Sequence, residues 1–108
     1  WKVHSESERR LLDALHDAGL APLVKLVEEG FELDFALVRD GHRLDVEVDG
    51  EQHLDERGRQ RRRDVTRDGV LNSLGWTVLR VPAWRCLREP ETVAGEVQTA
   101  FAGLTAAG

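Results

Sequence analysis

LDVEVDGEQH, residues Leu44–His53, alternates apolar and acidic side chains over its first six positions. Successive side chains of a β-strand point to opposite faces, so this pattern predicts a strand with one apolar face and one acidic face. The acidic face carries Asp45, Glu47 and Asp49, and the apolar face carries Leu44, Val46 and Val48. A row of carboxylates along one face of a strand is unfavourable by itself, because like charges repel.

The preceding stretch, Phe31–Val38, also alternates, and it is separated from the first stretch by Asp40-Gly41. Such a pair is favoured in the two-residue turn of a β-hairpin. This turn fixes the register, because a slip of one residue would turn every side chain to the wrong face. The predicted apolar face of the first strand carries Phe31, Leu33, Phe35 and Leu37, and the predicted pairs are Arg39 with His42, Leu37 with Leu44, Phe35 with Val46 and Leu33 with Val48.

The same register places Asp34 directly opposite Glu47. Cross-strand neighbours have Cβ atoms about 5 Å apart, and two like charges at that distance destabilise the pair. We therefore expect a positive charge between them, and a divalent cation with oxygen ligands is the most direct candidate. The alternative is a solvated hairpin face on which the acidic residues stay hydrated.

The length of the chain indicates a single domain over residues 1–108. Its 41% of hydrophobic residues and net charge of −5 are typical of a soluble globular protein. No apolar run reaches the length of a membrane span, and no signal segment opens the chain. The chain begins at Trp1 and contains no Met, so we expect it to be part of a longer protein. Its single Cys86 excludes an internal disulfide and favours a cytoplasmic setting.

Arginine is concentrated between residues 57 and 67, which contain six arginines. The guanidinium group offers a fork of donors that suits phosphate oxygens, so this segment is a candidate DNA-binding surface. The alternative is a solvated helix face. The residues assigned to DNA binding are Arg59, Arg61, Arg62 and Arg63.

The remaining pattern predicts the order αβββαβα, with a mixed four-stranded sheet between helices. A first helix begins at Ser5, with Glu8 at capping-box spacing, and ends at Gly19. Glu8 lies on the apolar stripe of this helix, so it is either a cap residue or a carboxylate that reaches the acidic site. A short strand follows over Leu23–Val27.

A second helix is predicted from about Asp55 to Leu74, followed by a buried strand at Trp76–Val81 that runs parallel to Leu44–Asp49. A last helix begins at Pro90. The predicted buried face of the second helix carries Val70, Leu71 and Leu74, and helical steps extend it through polar residues to Arg67, Asp64, Arg63 and Gln60.

This order of elements, with Asp34 on one strand and Glu47-Val48-Asp49 on the next, resembles the PD-(D/E)XK nuclease superfamily. More narrowly, the chain is similar to the branch related to the very-short-patch repair (Vsr) endonuclease. That branch includes small bacterial domains attached to the C-terminus of superfamily 1 helicases. The matching residues are Ser5–Leu15, Asp34-Phe35, Glu47–Gly50 with His53, Asp64, Arg67-Asp68 and Gly75–Val81.

The resemblance implies a restriction-endonuclease-like fold and metal-dependent cleavage of DNA. Asp34 and Glu47 would hold Mg²⁺ or Mn²⁺ with the backbone carbonyl of Val48, and Glu8 is a further candidate ligand. The lysine usual in the superfamily two residues after the glutamate is Asp49 here. His53 matches the histidine on which the Vsr-related branch relies, as a general base, and Asp49 would be a further ligand or would orient His53. Supporting roles fall to Gln60, Asp64 and Arg67.

Two hypotheses follow from the sequence. In the first, the chain is a Mg²⁺-dependent DNA endonuclease module attached to a helicase or another DNA-processing protein. In the second, it is a catalytically inactive module of the same fold that binds DNA or mediates assembly. The absence of the lysine favours the second hypothesis, whereas the presence of Asp34, Glu47 and His53 favours the first.

Overall fold

The computed structural model describes residues 5–50 and 65–107. The order of its helices and strands agrees with the predicted order, except for one short additional helix. In chain order they are α1 (Glu6–Asp17), β1 (Leu23–Glu28), β2 (Phe31–Arg39), β3 (His42–Asp49), α2 (helical over the described residues 65–73), β4 (Trp76–Pro82), α3 (Ala83–Arg88) and α4 (Pro90–Ala107). No helix in this described part of the chain is long and apolar enough to span a membrane.

The four strands form one mixed sheet in the order β1-β2-β3-β4. The pairs β1–β2 and β2–β3 are antiparallel, whereas β3 and β4 are parallel. The predicted hairpin turn is confirmed, since Asp40 and Gly41 have φ angles of 52° and 82°, as a type I′ turn requires. The predicted pairs nearest the turn are also confirmed: Arg39 with His42, Leu37 with Leu44 and Phe35 with Val46.

Helices cover both faces of this sheet. One hydrophobic core lies under α1, α3 and α4 and includes Phe35, Leu37, Leu44 and Val46. A smaller core lies on the α2 side and includes Leu33, Ala36, Leu71 and Trp76. The acidic face of β3 points toward α2, because Asp45 pairs with Ala36 of the smaller core.

The strands β1 and β2 change faces at one position, which the sequence did not predict. Leu33 packs in the smaller core and Phe35 in the larger one, although a regular strand would place both on one face. In β1, Val24 and Leu26 divide between the two cores in the same way. The change therefore occurs at Lys25, which has a left-handed φ of 57°, and at Asp34.

Three sequence-based predictions are corrected by the structure, and one element was not predicted. The single apolar face of β2 is wrong, because Phe31 and Leu33 pack against the smaller core. Leu33 does not pair with Val48, since Val48 packs against the larger core. Val70 is exposed rather than buried. The short helix α3 was not predicted because it contributes one buried residue, Cys86, which gives no periodic pattern.

The positive φ of Gly41 is unfavourable for any residue type other than glycine, so a substitution there should reduce stability. Gly41→Ala should lower the free energy of unfolding by about 1 kcal/mol, because an L-residue is strained in this conformation. Gly95, inside α4 with open space where a Cβ would lie, is the matched control. Gly95→Ala should raise the free energy of unfolding by about 0.5–1 kcal/mol. Urea denaturation measures both, and a Gly41→Ala variant at least as stable as the parent would contradict the turn assignment.

Candidate active site

The candidate site lies where β2 and β3 stop pairing through their backbones. The backbone pairing of the two strands ends at Phe35 and Val46. Beyond this pair, backbone N–H groups donate to side-chain carboxylates instead of to backbone carbonyls. The backbone N–H of Asp34 donates to Glu47 Oε2 at 3.0 Å. The backbone N–H of Val48 donates to Asp34 Oδ2 at 2.9 Å. Two backbone donors thus hold the two carboxylates next to each other, as the hairpin register predicts.

Lys25 of β1 brings a positive charge to Asp34. Its Nζ donates to Asp34 Oδ1 at 2.7 Å and to Glu8 Oε1 at 2.6 Å, and its side chain is 12% exposed. Burial opposes the charge of this ammonium group, but the hydrogen bonds to Asp34 and Glu8 outweigh burial and raise the pKa of Lys25. Lys25 therefore remains protonated at neutral pH.

Glu8 contacts both the N-cap of α1 and Lys25 of the candidate site. Ser5 is the N-cap of α1, and its Oγ accepts from the backbone N–H of Glu8 at 3.2 Å. The same hydroxyl donates to Glu8 Oε2 at 2.9 Å, which leaves Oε1 to accept from Lys25. The start of α1 is thereby connected to the candidate site through a buried carboxylate.

Arg67 of α2 brings a second positive charge, on the other side of Glu47. Its Nη2 lies 3.1 Å from Glu47 Oε2 and also donates to the backbone carbonyl of Glu32 at 3.0 Å. The distance from Nη2 to Asp45 Oδ2 is 3.7 Å, too long for a hydrogen bond. The positive charge that the acidic residues require is thus present as Lys25 and Arg67.

Asp45 is completely buried, and its carboxylate accepts no hydrogen bond from the described residues. Burial, followed by the nearby carboxylate of Glu47, raises the pKa of Asp45 to about 9, although Arg67 acts in the opposite direction. Asp45 is therefore protonated at neutral pH. This neutral form limits the repulsion among the acidic residues of β3.

Asp49 lies at the end of β3 and is paired with an arginine of the neighbouring strand. Arg80 of β4 places Nη1 3.1 Å from Asp49 Oδ1. The same guanidinium group binds both carboxylate oxygens of Asp68 from α2, at 3.2 and 2.7 Å. The side chain of Asp49 is 47% exposed, and its predicted catalytic role stays a prediction.

The structure brings together four of the residues singled out in the sequence: Glu8, Asp34, Glu47 and Arg67. A larger group lies outside the described residues, namely His53, Arg59, Gln60, Arg61, Arg62, Arg63 and Asp64. The position of Lys25 at the site was not predicted, although the sequence contains a signal for it. If Glu29-Gly30 forms a two-residue turn, as its φ angles of 51° and 82° now show, Lys25 falls opposite Asp34.

The site has the donor chemistry of a Mg²⁺ site, although it is not a complete cage. Within residues 5–50 and 65–107, no three His, Cys, Asp or Glu side chains are grouped so that they could hold a metal ion. However, Mg²⁺ usually takes one or two protein carboxylates and keeps several waters. Asp34 and Glu47 supply two adjacent carboxylates. The residues present therefore fit Mg²⁺.

The sequence matches the family model REase_MTES_1575 over residues 8–101, which includes the whole described site. The chain belongs to this restriction endonuclease family. The structure is similar to the catalytic domain of the homing endonuclease I-Bth0305I, with a TM-score of 0.65 and 21% sequence identity. The alignment covers 93% of this chain and 97% of that domain, and it supports the restriction-endonuclease-like α/β fold. No curated protein matches the sequence at a significant level.

The raised pKa of Asp45 predicts a pH-dependent stability. The folded protein keeps a proton that the unfolded chain releases above the ordinary value of 3.8, so stability should fall as pH rises from about 4 to about 9. Asp45→Asn, which is neutral at every pH, should flatten this decline. Asp13→Asn, on the exposed side of α1, should keep the parent profile.

Urea denaturation across this pH range, without divalent cations, gives the comparison. Parallel profiles for Asp45→Asn and the parent would show that Asp45 does not carry the proton.

Proposed function

We propose that this domain is a metal-dependent DNA endonuclease that hydrolyses phosphodiester bonds with Mg²⁺ or Mn²⁺. The observation that carries the proposal is the pair of carboxylates, Asp34 and Glu47, fixed side by side where β2 and β3 separate. Membership in a restriction endonuclease family supports the nuclease assignment. The structural neighbour is itself a catalytic domain.

In this proposal Asp34 and Glu47 hold the metal ion together with the backbone carbonyl of Val48. The metal, when bound, lowers the pKa of a water molecule and stabilises charge on the phosphate. The backbone N–H groups of Asp34 and Val48 orient the two carboxylates, so that little reorganisation is needed on binding. Arg67 keeps Glu47 in place from the opposite side.

The remaining roles are proposed from the resemblance. His53 acts as general base, and Asp49, oriented by Arg80, assists it or the metal. The arginines between residues 59 and 63 bind the DNA backbone. We further propose that the domain is a Vsr-like module of a longer cytoplasmic chain, attached to a helicase or another DNA repair protein.

A second candidate function is a catalytically inactive module that binds DNA or mediates assembly. The specific observation in its favour is that protein cations already neutralise the acidic site. Lys25 binds Asp34 and Arg67 binds Glu47, so the fold does not need a metal ion for charge balance. The two functions differ in whether Mg²⁺ binds at these carboxylates.

Asp34→Asn and Glu47→Gln separate the two functions. Each variant removes one negative charge with little change in shape, so each should reduce Mg²⁺-dependent nicking of plasmid DNA to background. Mg²⁺ should stabilise the parent by about 2.7 kcal/mol at a concentration of 100 times Kd, because it binds the folded state. Neither variant should show that stabilisation.

The measurements are a nicking assay and thermal denaturation with and without Mg²⁺. Asp13→Asn is the control for a general loss of negative charge, and it should behave as the parent in both. Nicking at the parent rate by both site variants would overturn the assignment. A parent that neither nicks DNA nor gains stability from Mg²⁺ would favour the inactive module.

A further inference from the structure

The ammonium group of Lys25 has one hydrogen left for a ligand. Such a group donates three hydrogen bonds, and two of them go to Glu8 and Asp34. Among the described residues the third hydrogen has no acceptor within hydrogen-bond distance, since the carboxylate of Glu32 is 3.9 Å away. A largely buried cation with an unused donor therefore lies directly beside a proposed metal ligand.

The backbone places this cation at a defined position. Lys25 lies opposite Asp34 in the β1–β2 register, between the pairs Val24–Phe35 and Leu26–Leu33. Its φ of 57° is a conformation that residues other than glycine rarely adopt, and such strain is concentrated at functional sites. The same position is where β1 changes faces of the sheet, so the surrounding packing determines the conformation of Lys25.

Glu8 holds the ammonium group of Lys25 in place by a hydrogen bond. The hydroxyl of Ser5 and the ammonium group of Lys25 bind the two oxygens of its carboxylate. Because Glu8 also binds Lys25, the ammonium group keeps one carboxylate partner when Asp34 serves as a metal ligand. The side chain is therefore held in place independently of Asp34.

We propose that Lys25 binds a non-bridging oxygen of the scissile phosphate beside Asp34 and Glu47, with Glu8 as its positioning residue. This inference rests on the proposed endonuclease function. The role is electrostatic, because Lys25 keeps its proton and transfers none. The pKa of Lys25, raised by its two hydrogen bonds, agrees with a permanent positive charge. Lys25 thereby provides, from β1, a cation that position 49 lacks.

Lys25→Met tests the proposal, since it removes the charge and keeps a long side chain. The nicking rate at saturating Mg²⁺ should fall by about 100-fold or more, as for the loss of one donor to a developing negative charge. The Mg²⁺ affinity of the free protein, measured by calorimetry, should not weaken, because a competitor for Asp34 is removed. Arg85→Met is the matched control, as Arg85 also bridges two carboxylates, Glu89 and Glu96, which lie outside the site.

The outcomes separate this proposal from the proposed function. Parent-like nicking by Lys25→Met would overturn the role of Lys25 and leave the endonuclease assignment intact. If the parent itself does not nick DNA, the endonuclease assignment fails, and duplex binding then decides about Lys25. Lys25→Met should weaken duplex binding at least fivefold relative to Arg85→Met. It should also lower the slope of log affinity against log salt concentration by about one unit. Unchanged binding and an unchanged slope would refute the phosphate contact.

A second variant serves as the control for possible misfolding of Lys25→Met. Lys25→Met leaves Glu8 and Asp34 without their shared cation, so the variant could be too unstable to assay. The double variant Glu8→Gln/Lys25→Met removes one charge of each sign and avoids this imbalance. Circular dichroism verifies its fold, and the same loss of nicking is expected. Parent-like nicking by the folded double variant would overturn the proposal.

Discussion

The described site depends on the burial of acidic side chains between the sheet and α2. Asp45 is completely buried and Glu47 nearly so, and Asp34 lies beside Glu47. Carboxylates removed from water are stable only if they are protonated, paired or hydrogen-bonded. This chain uses all three means. Asp45 is protonated, Asp34 and Glu47 accept backbone hydrogen bonds, and Lys25 and Arg67 provide charge.

These compensating interactions also connect separate parts of the fold. Lys25 comes from the edge strand β1 and contacts Glu8 of α1, whereas Arg67 comes from α2. The carboxylates of β2 and β3 are therefore contacted from both sides. Asp34 and Glu47 each have a defined cationic partner, so they do not form a solvated hairpin face.

The sequence was sufficient where local rules act alone. The turn at Asp40-Gly41 and the period of two predicted the β2–β3 register. The strand–helix–strand order predicted that Trp76–Val81 runs parallel to β3. The same rules failed at Asp34, because alternation assumes that a strand keeps its faces. A left-handed residue in the paired strand breaks that assumption, and nothing in the alternation of β2 itself reveals it.

Local sequence rules also could not identify which group supplies the positive charge beside Asp34 and Glu47. The register demanded a cation near Asp34 and Glu47 but did not distinguish a metal ion from a side chain of another element. Lys25 could have been found from the Glu29-Gly30 turn, by the argument used for the second hairpin. Arg67 lay on the predicted inward stripe of α2, but its contact with Glu47 depends on how α2 packs on the sheet.

The most direct test of the proposed metal site is to locate the ion. Crystals soaked in Mn²⁺, which has the same preference for oxygen ligands, would show the ion by its anomalous scattering. We expect one peak within about 2.5 Å of carboxylate oxygens of both Asp34 and Glu47. Absence of a peak there at a Mn²⁺ concentration that supports nicking, with Lys25 and Arg67 still in contact with these carboxylates, would contradict it.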